Sequence, residues 1–145
     1  MGNPRQIETN VQLASMRQIN AAIEHMHRGD FECAITLAGA AEGMLPDSDE
    51  AHFRQKVKEL AAKPEIRAAG GATGPNDYIN WLKHGQLMKG AARIENATIL
   101  EIEVIAVIWR AITKFRVTYP EIRTPQMLSF ENWARSYLQQ DKNSK

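Results

Sequence analysis

The sequence is poor in cysteine, nearly neutral, and free of any long unbroken apolar run. Of its 145 residues only Cys33 is a cysteine, which excludes an internal disulfide framework and suits a reducing compartment. Formal net charge is +1, so no global field recruits nucleic acid or anionic membrane, although a local basic patch stays open. The longest apolar region, residues 99–112, is interrupted by Glu101, Glu103 and Arg110, which rules out a membrane span. The opening MGNPRQIETN has no apolar signal core, and Arg5-Gln6 stands where a myristoylation motif calls for Ser or Thr. A cytoplasmic protein with no membrane partner is expected. Internal repeats, low-complexity blocks and Asn-Gly hairpin signals are all missing.

What is present is an ordinary globular composition, with 43% hydrophobic and 24% charged residues. That supports one domain over 1–145 with a proper core, residues 139–145 forming a frayed tail. The periodicity is helical throughout. Ile7, Val11, Ala14, Met16, Ile19, Ile23 and Met26 predict a first helix over Arg5–His27, stopped by Gly29. Asp30 is the expected N-cap of a second helix, FECAITLAGAAEGML, which is small and apolar on most sides and so expected to be central. Gly39 inside it costs roughly 1 kcal/mol against Ala; a helix accepts that more readily where another helix approaches closely. A third helix is expected after Asp47 or Ser48, with Phe53, Val57 and Leu60 as its stripe and Pro64 as its breaker. AAGGATGPN, residues 68–76, reads as a flexible loop before a fourth helix over residues 76–85, NDYINWLKHG. Asn96 is the expected cap of a fifth helix, Ala97–Val117, buried nearly all round with Glu103, Arg110, Thr113 and Lys114 as its solvent strip. Pro120 and Pro125 bracket a loop before a short closing helix carrying Phe130, Trp133 and Tyr137. The expected architecture is all-α: a bundle of four main helices with shorter ones added.

Most chemical motifs fail on their own terms. GGATG lacks the Gly-Lys-Ser/Thr ending and the preceding strand of a phosphate loop. Glu24-x-x-His27 and Asp49-x-x-His52 have the spacing of di-iron ligands, but an intervening helix puts the pairs at opposite ends of an up-down bundle. No metal and no cofactor is therefore expected. Cys33 lies in an apolar helix without a histidine partner and reads as inert core. Ser-His-Asp catalysis has neither a nucleophile elbow nor a strand scaffold. Phe115, Tyr119, Phe130 and Trp133 are spaced as core and docking residues, not as a base-stacking platform.

One constellation remains. On a helix Asn80 and His84 are i, i+4 and share a face, Asp77 joins them one turn earlier, and Lys83 sits at the edge. Trp81 and Leu82 are expected to turn inward. An imidazole beside an amide can move protons, or bind phosphate when charged.

Three segments in order carry a family resemblance: LAGAAE at Leu37–Glu42, INWLKH at Ile79–His84, and FENW at Phe130–Trp133. This set resembles a group of uncharacterised bacterial helical proteins that is in turn similar to the HEPN superfamily, and it spans about residues 12–138. The resemblance implies a helical bundle that forms a homodimer. It also implies metal-independent endoribonuclease chemistry of toxin or defence type, with Arg and His from paired protomers lining a cleft. The family pattern is Arg, a polar residue, three more residues, then His. Asn80 matches the polar position and His84 the His, while Ile79 stands where the Arg belongs and cannot bind phosphate. Losing such a cation costs several kcal/mol of transition-state binding, on the order of the oxyanion-hole effects. The resemblance thus implies a non-catalytic module that dimerises and binds RNA, a nucleotide or an antitoxin-like protein partner, with Asp77, Lys83 and Arg93 as binding residues. The competing expectation is a ribonuclease using His84 with another cation, Arg93 or Arg67.

Overall fold

The computed structural model describes residues 4–46, 75–86 and 92–143, with side chains over 4–46, 79–86 and 92–140. The expected third helix, the 68–74 part of the glycine-rich loop, Asp49, His52 and Arg67 lie outside the described residues. Among the described residues the chain is all-α: α1 (Val11–Arg28), α2 (Phe31–Met44), α3 (Pro75–His84), α4 (Glu101–Thr118) and α5 (Pro125–Asn143), with no strand. None of these helices is long and apolar enough to cross a membrane.

α1 begins at Val11, six residues later than its apolar periodicity suggests. Asn10 is extended and its side chain accepts a hydrogen bond from the Leu13 N–H at 2.9 Å, which satisfies a first-turn amide and sets the boundary. Residues 4–10 are non-helical and exposed, so Ile7 matches the stripe without being buried. The other end is as expected. Gly29 adopts φ +87°, and the Gly29 and Asp30 N–H groups donate to the Met26 and His25 carbonyls. Asp30 occupies the N-cap position of α2 but makes no side-chain cap bond; its carboxylate stands 3.4 Å from His25 Nδ1.

α1 and α2 form an antiparallel pair and α4 packs against both. α2 buries Ala34, Ile35, Ala38 and Ala41, then Leu45 beyond its end. It is not enclosed on all sides: Thr36, Ala40, Gly43 and Met44 are exposed, and so is Cys33, contrary to its reading as core. Cys33 sits next to Ala34 and Ile35 in sequence, about 100° round the helix from the buried stripe. In a helix this uniformly apolar, composition does not reveal which side faces in.

α4 is buried nearly all round, as the pattern predicts, and Ile105, Ile108, Ile112 and Phe115 are fully enclosed. It starts at Glu101 rather than Ala97, and Asn96 does not cap it. The Leu100 carbonyl receives the Glu103 and Val104 N–H groups, while Ile99 packs on the core before the helix begins. The expected solvent strip is also corrected. Glu103 and Thr113 are buried, and Arg110 and Lys114 are turned onto α2. Arg110 Nε donates to Glu42 Oε2 at 2.7 Å and Lys114 Nζ lies 3.1 Å from Glu42 Oε1, with all three side chains 14–16% exposed.

α5 is longer than a short closing helix. Thr124 caps it, accepting the Met127 N–H at 3.2 Å and donating to Asn20 Oδ1 of α1 at 2.9 Å, and Pro125 takes the first helical position. The helix runs to Asn143, so residues 139–143 of the supposed frayed tail are helical. Gln and Lys are good helix formers and no Pro or Gly intervenes. Met127, Phe130 and Ala134 enter the core, and the buried Glu131 carboxylate holds Arg116 of α4 at 2.9 Å and Arg135 at 3.4 Å.

The Glu42 joint yields a stability prediction. Glu42→Ala removes the carboxylate shared by two largely buried cations and lowers unfolding free energy by about 2–4 kcal/mol, read from urea midpoints. As a control, Glu24→Ala removes an exposed pair with Arg28 at 3.9 Å and changes stability by under about 0.5 kcal/mol. Equal losses for the two would refute a structural role for the joint.

Candidate functional site

α3 is seated on α2 through one close approach. A Cβ on Gly39 would stand 3.2 Å from Ile79 Cδ1 and 3.3 Å from its Cγ1, closer than ordinary van der Waals contact. The missing side chain at Gly39 is therefore the socket for Ile79, as the expected helix approach requires. Ile79 and Leu82, three residues apart, both pack on the core.

The opposite end of α3 is built around Gly85, at φ +69°. Its N–H donates to the Trp81 carbonyl at 2.7 Å, and its own carbonyl accepts the Ile94 N–H at 2.8 Å. Trp81, expected to turn inward with Leu82, is half-buried like Leu82. Its indole Nε1 donates to the Ile94 carbonyl at 2.7 Å, clamping the chain where it returns beside the helix end. Burying an indole needs a partner for its N–H, and a returning strand of backbone supplies one.

Of the residues expected to form a site, Lys83 and His84 are exposed in the last turn of α3 and Asn80 is half-buried. Asp77 belongs to α3, but its side chain lies outside the described residues. Arg93 is brought to the same end: its Cγ is 3.6 Å from the place of a Cβ on Gly85, directly after His84. A side chain at residue 85 would meet the arginine stem at ordinary contact distance but would strain the backbone at this positive φ. Arg93 Nε pairs with Glu95 Oε1 at 3.1 Å, and both side chains are about three-quarters exposed. Lys83, His84 and Arg93 thus gather at the carbonyl end of a helix, where the backbone dipole favours cations. Among the described residues no hydrogen bond orients the His84 ring. Comparison with family models, curated proteins and solved structures returns no match.

The other sequence candidates are spread through the fold. Glu24 faces Arg28, and the His27 ring meets Trp133 edge-on at 5.5 Å between centroids. Among the described residues no group of three His, Cys, Asp or Glu side chains is placed to hold a metal ion. Trp133 also contacts Phe130 and Tyr137 within α5, and all three pack on the core. What sequence reasoning missed is the Glu42–Arg110–Lys114 joint. The available signal was a pair of cations at i, i+4 inside an otherwise apolar helix, together with Glu42 closing the LAGAAE segment.

The Gly39–Ile79 contact is testable by a double-mutant cycle. Gly39→Leu drives a side chain into Ile79 and costs about 1–3 kcal/mol from overpacking. In the Ile79→Ala background the same change costs at least about 1 kcal/mol less, because the space has been vacated. Additive effects in chemical denaturation would show that the two residues are not in contact.

Proposed function

We propose that the chain is a non-catalytic HEPN-like helical module that acts by pairing with a second copy and binding RNA, a nucleotide or a protein partner. The observation that carries this reading is the seating of Ile79 on Gly39. The residue at the place of the ribonuclease Arg is committed to packing α3 on α2. Without that cation, phosphate charge that builds during attack by a ribose hydroxyl has no stabiliser at this position. His84 alone, exposed in the last turn of α3, supplies a proton carrier but not the electrostatic half of the chemistry.

A second reading is favoured by the place of Arg93, whose stem lies on Gly85 immediately after His84. In that reading Arg93 replaces the missing cation and the module cleaves RNA with His84 as acid or base. Asn80 and Lys83 would then contribute binding, and no metal would take part.

The deciding experiment incubates purified protein with mixed RNA in EDTA, beside His84→Ala and Arg93→Ala. The non-catalytic reading expects intact RNA in all three. Cleavage by the wild type that disappears in both variants establishes the ribonuclease instead.

Ile79→Arg is expected to weaken the fold by about 1–3 kcal/mol without conferring cleavage, because it replaces a core contact by a poorly solvated cation. A variant that keeps wild-type stability and gains activity would contradict the packing argument. Pairing is read by light scattering at micromolar concentration, where twice the chain mass is expected and a monomer removes the dimer from the proposal.

A further inference from the structure

We draw no further inference here: the strongest candidate, the uncharged outer face of α2 formed by Cys33, Thr36, Ala40, Gly43 and Met44, is an unpartnered stripe of small residues with a lone cysteine, and nothing in the structure shows what covers it.

Discussion

A helix that is apolar around most of its circumference cannot rest on a neighbour along one stripe; it has to be wrapped. α4 sets this constraint, with eleven of its eighteen residues buried. α1 and α2 cover it from one direction, α3 and α5 from others. Each covering helix needs only a partial apolar face, which is why α1 and α5 are strongly polar outside while α4 is not. Burial of this kind provides the main stabilisation, at about 25 cal/mol per Å² of apolar surface removed from water.

The same constraint explains where the charges of α4 go. A cation emerging from a wrapped helix has little water to reach, so it needs a carboxylate on the covering element. Arg110 and Lys114 find Glu42 on α2, and Arg116 finds Glu131 on α5. Replacing such pairs by apolar groups of similar volume often leaves stability unchanged, so their distinctive effect lies in register. A slip of either covering helix by one turn would carry Glu42 or Glu131 away from these cations. LAGAAE and FENW therefore each end on, or contain, the glutamate that locks one helix to α4. Both segments thus have a packing role that is independent of any chemistry.

The helical class and most of the buried stripe were legible from periodicity alone, and so were the Gly29 stop and the close approach at Gly39. Boundaries were less legible. The start of α1 depends on Asn10, a good N-cap that the apolar periodicity running on to Ile7 overrode, and the start of α4 depends on Leu100, which carries no cap signature. Sidedness failed where the pattern is saturated. With nearly every position of α2 small or apolar, Cys33 could face either way, and in α4 Arg110 read as solvent-facing because its partner Glu42 lies 68 positions away. At the candidate site Asn80 is half-buried, whereas the exposure of Lys83 and His84 was readable from helical spacing. The clamp by Trp81 and the arrival of Arg93 were not, because both depend on how the chain returns after Gly85.

Thr124 reaches back to Asn20 across 104 positions, and farther along the same two helices Trp133 meets His27. α5 therefore lies alongside α1 and points the same way, so an early and a late part of the chain share one seam. During synthesis α1 and α2 can pair soon after they emerge, since Gly29 joins them directly. The apolar seat for Met127 and Phe130 stays open until α5 has left the ribosome. Until that moment the nascent bundle presents to solvent a surface that the finished fold hides, which is the interval in which a holding chaperone has the most to gain.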